Sequence, residues 1–208
     1  MQILTFQLGP LATNAYLLLP PKRKEAVLID APVGVYQAIA PKLGDRKLIA
    51  LLLTHGHWDH IVDAAICRGG GATVYAHPDG RLWIENPTLQ ATFMPPMAPV
   101  PPVQVDELLL PNQTLELAGM RIQVRHVPGH APGNVMFYVR DANAAFPGDA
   151  IMAGTVGRTD LPGGNFAQLE KSIRNQIYTL PGDTVLYPGH GSATMVATER
   201  AGTLFVRG

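Results

Sequence analysis

At 208 residues, with 47% hydrophobic and 15% charged side chains, the chain is long enough for a substantial core and too apolar to be disordered. Sixteen basic residues balance sixteen acidic ones, so net charge gives no reason to expect nucleic acid as a partner. No apolar run reaches the ~18–20 residues of a membrane helix, the start has no signal-like basic region, and Cys67 has no second cysteine to pair with; no membrane association and a cytoplasmic location are expected.

Residues 2–8 and 14–19 read as strands joined through Gly9-Pro10, and Glu25–Ile29 as a third strand ending at Asp30. Val35–Leu43 has helical spacing and stops near Gly44. Lys47–Leu53 is an apolar run suited to a buried strand. A helix is expected over His60–Cys67, with Ile61, Ala64, Ala65 and Ile66 facing the core, Cys67 a small buried hydrophobe, and Gly69-Gly70-Gly71 as its end. Thr73–Ala76 reads as a short strand, followed by a short helix from Pro78. The proline-rich Met94–Pro102 excludes helix and central strand, and predicts a stiff, extended loop. Such a loop serves as a surface connection, a wall over a site or an oligomer contact. Further strands are predicted over Thr114–Leu117, Arg121–Val127, Val135–Val139, Ala144–Phe146 and Thr184–Tyr187, with helices over Phe166–Tyr178 and Ser192–Ala201. Two β-then-α halves predict an α/β chain of two face-to-face sheets with helices outside, forming one domain over residues 1–208.

The chemistry concentrates in Thr54-His55-Gly56-His57-Trp58-Asp59-His60, which places three histidines and an aspartate directly after a predicted strand. Imidazole and carboxylate suit zinc, iron and manganese. His55 and His57 are two apart in an extended segment, so their side chains can point the same way. His130, in Pro128-Gly129-His130-Ala131-Pro132-Gly133, and His190, in Pro188-Gly189-His190-Gly191, also follow predicted strands, as does Asp149 in Pro147-Gly148-Asp149. Strand ends opening into glycine turns are where side chains converge. The residues divide into two sets: His55, His57 and His130 for one ion, and Asp59, His60 and His190 for another. Asp149 has two oxygens with which to bridge them. His77 and His126 are read as histidines making ordinary hydrogen bonds.

This series resembles the metallo-β-lactamase superfamily over nearly the whole chain. The resemblance implies an αββα sandwich with two divalent ions at one edge, zinc foremost and iron or manganese as alternatives. It also implies that Asp30 buttresses the ligand loop from behind. Gly157-Arg158-Thr159-Asp160-Leu161-Pro162-Gly163-Gly164 is similar to the Gly-Arg-Thr/Ser-Asp loop of short bacterial glyoxalase II-like hydrolases, which makes Arg158 and Asp160, with Asn134, candidate substrate-loop residues. The implied reaction is hydrolysis of a small acyl thioester by a metal-bound hydroxide that Asp59 orients.

Two departures bear on glutathione specificity and not on the metal ligands. The stretch after His190 has no room for the C-terminal helical extension that helps glyoxalase II enzymes bind glutathione. Position 134 is Asn134, where many relatives have Ser or His. The superfamily also includes mononuclear iron persulfide dioxygenases, whose triad matches His55, His130 and Asp149. Phosphodiesterases, β-lactamases and a non-catalytic module with a vestigial site are further alternatives; neutral charge weighs against the first, and the complete ligand series against the last.

Overall fold

The computed structural model describes residues 1–95, 99–202 and 204–206. The first half contains β1 (Gln2–Leu8), β2 (Thr13–Leu19), β3 (Glu25–Ile29), α1 (Val35–Leu43), β4 (Lys47–Leu52), α2 (Ala64–Gly69), β5 (Thr73–Ala76), α3 (Arg81–Glu85) and β6 (Glu107–Leu108). The second half contains β7 (Thr114–Leu117), β8 (Met120–His126), β9 (Val135–Val139), β10 (Ala144–Gly148), β11 (Ile151–Met152), β12 (Thr155–Val156), α4 (Phe166–Ser172), β13 (Val185–Pro188), β14 (Thr194–Met195) and α5 (Val196–Gly202). One sheet has the order β1-β2-β3-β4-β5-β6 and the other β14-β13-β10-β9-β8-β7, while β11 and β12 form a separate hairpin. The architecture is the expected four-layer αββα sandwich.

Period-two patterning explains the layers. In β2, Ala15, Leu17 and Leu19 pack toward α1 and α2, while Tyr16 and Leu18 point to the other sheet. In β3, Ala26 and Leu28 face outward and Val27 and Ile29 inward. The inner face of the second sheet answers with Ile122, Val124, Phe137 and Phe146. Its outer face presents Met136, Tyr138 and Leu186 to Leu169, Ile173 and Ile177, from α4 and the π-helical turn Ile173–Ile177.

Strand direction places the functional edge. β3 and β4 run parallel. β8 is antiparallel to β9, β9 to β10, and β10 is parallel to β13, so β8, β10 and β13 share one direction. The segments after β3, β4, β8, β10 and β13 therefore emerge at strand C-termini, and hydrogen bonds join the two sheets there. Val135 N donates to Thr54 O at 2.8 Å, and Asn14 N donates to Gly189 O at 2.7 Å.

Several elements differ from expectation. The helix expected from His60 is broken: a 3-10 turn covers Trp58–His60 and α2 begins only at Ala64. That phase buries Ile61, Ala64 and Cys67 but leaves Ile66 50% exposed, against the expected core role. The closing helix starts at Val196, because Thr194 and Met195 pair with β13 instead. Of the proline-rich stretch Met94–Pro102, residues 96–98 lie outside the described residues; Pro99–Pro102 has no regular structure, as expected. Among the described residues no helix is long and apolar enough to cross a membrane.

Candidate metal centre

His55, His57, Asp59 and His60 lie on the segment after β4, His130 after β8, Asp149 after β10 and His190 after β13. All are buried except His190, which is partly exposed. The structure brings the seven together in the expected sets: His55, His57 and His130 offer ligand atoms within 4.8 Å of one another, and so do Asp59, His60 and His190. His55 Nε2 lies 3.1 Å and His130 Nε2 2.8 Å from His57 Nδ1. In the second set His60 Nε2 and His190 Nε2 each lie 3.3 Å from Asp59 Oδ2. Asp149 sits between them, with Oδ1 3.5 Å from His60 Nε2, and Oδ2 3.5 Å from His130 Nε2 and 3.4 Å from His190 Nε2.

Hydrogen bonds behind the rings fix which nitrogen faces inward. His130 Nδ1 donates to Arg158 O at 2.8 Å, His190 Nδ1 to Leu11 O at 3.1 Å and His60 Nδ1 to Asp30 Oδ2 at 2.8 Å. The single proton of Thr54 Oγ1 goes to Asp30 Oδ2 at 2.8 Å, so Thr54 accepts from His55 Nδ1 at 3.0 Å. Four imidazoles, those of His55, His60, His130 and His190, therefore turn Nε2 toward the centre, where it can ligate once deprotonated. His57 is turned the other way, with Nδ1 against the lone pairs of His55 and His130.

Lone pairs this close repel unless something positive lies among them. His57 Nε2, His60 Nε2 and Asp149 Oδ1 are buried without a hydrogen-bond partner, a costly state for polar atoms. Burial, then the neighbouring His60 and His57, hold His55 well below the ordinary imidazole range; burial takes His57 down to about 3 and lowers His130. This first set is thus neutral and ligand-competent. Burial opposes ionisation of Asp59 and Asp149, but His60 and His190 outweigh it, holding Asp59 at about 2 and Asp149 well below the carboxylate range. Reciprocally, burial would lower His60 and His190, yet the carboxylates drive His60 well above its ordinary value and His190 to about 10. That negative potential is what a dication would occupy. Donor set, tautomers and orphaned atoms all fit a dinuclear metal site.

Asp30 stands behind the centre as expected. It adopts the left-handed backbone region at φ 58°, and its carboxylate accepts from Thr54 N at 2.8 Å, from Thr54 Oγ1 and from His60 Nδ1. Gly189 and Gly157 permit the close packing. A Cβ on Gly189 would collide with Asp149 Oδ1 and meet His60 Cε1 at 2.7 Å, and one on Gly157 would strike Asp149 O.

The sequence reading missed other supports. Thr13 Oγ1 donates to Asp59 Oδ2 at 2.7 Å, and Asn14 Nδ2 donates to Pro188 O and Gly191 O, bracing the His190 turn. Gln90, fully buried, accepts from Trp58 N and donates to Gly56 O, each at 2.8 Å, clamping the ligand loop from both sides. Gln90→Ala would orphan two buried backbone groups, and a loss of about 2–3 kcal/mol in urea denaturation is expected. An unchanged midpoint would show that the loop holds itself.

The centre forms the floor of a cleft of about 700 Å³, whose apolar lining includes Leu11, Phe93, Met94, Pro95, Met152 and Leu161. Met94 and Pro95 thus answer to the expected wall, beginning the proline-rich stretch. Arg158 also lines the cleft. Its guanidinium pairs in a fork with Asp160, both contacts at 2.7 Å, and both side chains are exposed. Asn134 is a correction: it is completely buried, donates to Pro147 O at 3.1 Å and is absent from the cleft lining, so it supports the turn before Asp149 and cannot reach a substrate.

A family model described as the metallo-beta-lactamase superfamily matches residues 8–190. The probable metallo-hydrolase YqgX of Bacillus subtilis (strain 168) is 34% identical over 203 residues, covering 96% of this chain and 95% of that protein. The hydroxyacylglutathione hydrolase GloC of Haemophilus influenzae is 31% identical over 194 residues, 88% of each chain. Among solved structures, BLEG-1 B3 metallo-beta-lactamase superposes with a TM-score of 0.89 at 34% identity and full coverage of both chains. TTHA1623 in a di-iron-bound form does so with a TM-score of 0.85 at 34% identity, covering 98% of this chain and 100% of that one.

Proposed function

Because the chain belongs to the metallo-β-lactamase superfamily and is of the hydrolase type, we propose that it hydrolyses a small acyl thioester of the kind glyoxalase II-like enzymes cleave. The observation that carries this reading is the pair of ligand sets sharing Asp149 on the floor of an apolar-walled cleft.

Divalent ions held by His55, His57 and His130, and by Asp59, His60 and His190, with Asp149 between, would supply Lewis acidity and a water acidified toward neutral pH. The chain's own groups do the rest. Asp59, held ionised by His60 and His190 and fixed by Thr13, would accept a hydrogen bond from the attacking water and so aim it. Phe93, Met94, Met152 and Leu161 pack an acyl group and exclude bulk water. Arg158 is the one permanently cationic side chain among the described lining residues; steadied by Asp160, it suits an anionic group at the cleft mouth. A thiol of ordinary pKa, about 8.5, leaves as thiolate without a general acid, which matches a described lining whose titratable side chains, Arg158 apart, are all candidate metal ligands.

The 31% identity to a protein named hydroxyacylglutathione hydrolase supports the thioester assignment, and the similarity to a di-iron form keeps iron beside zinc as the metal. The persulfide dioxygenase alternative would use His55, His130 and Asp149 and leave the complete set of Asp59, His60 and His190 without a role.

Metal-loaded protein is expected to release thiol from S-D-lactoylglutathione, and chelator-treated protein to release none. A loaded protein that leaves this substrate and other acyl thioesters intact, yet opens a cephalosporin or consumes oxygen with a persulfide, would overturn the proposal.

A further inference from the structure

Another group of metal-type ligands lies outside the centre. His77 follows β5, Asp79 lies in the 3-10 turn Pro78–Gly80, and His126 ends β8. Their ligand atoms fall within 4.8 Å of one another. The two imidazoles stack face to face, 4.0 Å between centroids and 12° from parallel, which brings their nitrogen-bearing edges side by side. His77 is buried; its Nδ1 lies 3.7 Å from Asp79 Oδ2 and accepts only a long, 3.3 Å hydrogen bond from Asp79 N. His126 Nε2 is sealed from solvent and has no hydrogen-bond partner. Burial lowers both histidines, and His126 depresses His77 further, so both rings are neutral and able to ligate.

We propose that His77, Asp79 and His126 form an additional divalent-cation site, separate from the candidate dinuclear centre. Two imidazoles and one carboxylate suit zinc, nickel or copper(II) rather than calcium or magnesium. The Asp79 side chain is 60% exposed, so the outer face of the site is open to water and one or more coordination positions would be filled by solvent. Three protein ligands with an open face make an exchangeable site, weaker than a closed four-ligand one.

The site has a structural consequence. His77 hangs from the first sheet and His126 from the second, so an ion there ties the two together. The adjoining Gly80 packs against both ligand loops: a Cβ on Gly56 would meet Gly80 O at 3.0 Å, and one on Gly133 would meet Gly80 N at 2.5 Å. Occupancy would stiffen the loops that carry His57 and His130 without touching either residue.

The test is zinc content after equilibrium dialysis of the full chain, for wild type, Asp79→Ala and His126→Leu. Wild type is expected to bind one more equivalent than either variant, and a cobalt(II) titration to show an extra visible-absorption increment that both variants lack. Asp79→Ala removes an exposed side chain and keeps the fold testable if His126→Leu does not. Equal zinc content in wild type and Asp79→Ala overturns the proposal, since rings stacked for packing alone would not change it.

Discussion

Asp149→Ala is expected to lower hydrolysis at least about a thousandfold, equivalent to about 4 kcal/mol of transition-state stabilisation, with the fold retained. Among the described residues Asp149 is the one carboxylate in contact range of both ligand sets, through His60, His130 and His190. Without it the two sets lose their common anion, and metal content should fall with activity. The fold should persist because Asp149 belongs to none of the apolar clusters that hold the layers. His57→Ala should abolish hydrolysis for a parallel reason, since its Nδ1 contacts both partner nitrogens of the first set. Turnover in each variant, read beside near-UV circular dichroism and metal content, checks this. Wild-type rates in a folded His57→Ala protein at matched metal content would remove the ligand assignment.

The second large effect is predicted for Asp30→Ala, which should cost about 3–5 kcal/mol of stability, the range for removing one partner of a buried charged pair. The carboxylate is nearly fully buried and accepts from Thr54 N, Thr54 Oγ1 and His60 Nδ1. Its loss leaves the Thr54 amide unpaired and frees the His60 ring to rotate. Asp30→Asn should recover part of the loss, because an amide oxygen can still accept from Thr54 while the charge opposite His60 is gone. Urea denaturation of the three proteins without metal measures the ranking. Equal midpoints for wild type and Asp30→Ala would show that the loop is held elsewhere.

Much of this was legible in the sequence, for a physical reason. Strands such as β2 and β9 are apolar runs bounded by turn residues, and the histidine cluster is compact enough to be read without tertiary context. Assigning the ligand sets needed only that strand ends converge. What escaped depended on approach from afar or on lengths too short for any period. Gln90 is 34 residues from Gly56 and Thr13 is 46 from Asp59, and nothing local in either marks the role. The two-residue strands β6, β11, β12 and β14 carry no alternation to detect. Ile66 was assigned to the core from a helix counted from His60; the turn at residues 61–63 resets the phase and swings it outward. Asn134 became a substrate-loop candidate through the family resemblance, whereas its side-chain amide donates to Pro147 O from a fully buried position that sequence does not reveal.

The two candidate ligand sets also bear on the order in which the molecule is assembled. Each draws members from both halves of the chain: His55 and His57 need His130, and Asp59 and His60 need His190. During synthesis, the first half emerges with four donors and neither set complete. The second half supplies only His130, Asp149 and His190, which cannot complete either set alone. Tight capture of ions by these sets would therefore wait until the sheets have docked, and a bound ion would act as a rivet across the seam it closes. Once set, the rivet spans a loop of more than 70 residues between His57 and His130, so chelation should loosen the docking of the halves before it disturbs either sheet.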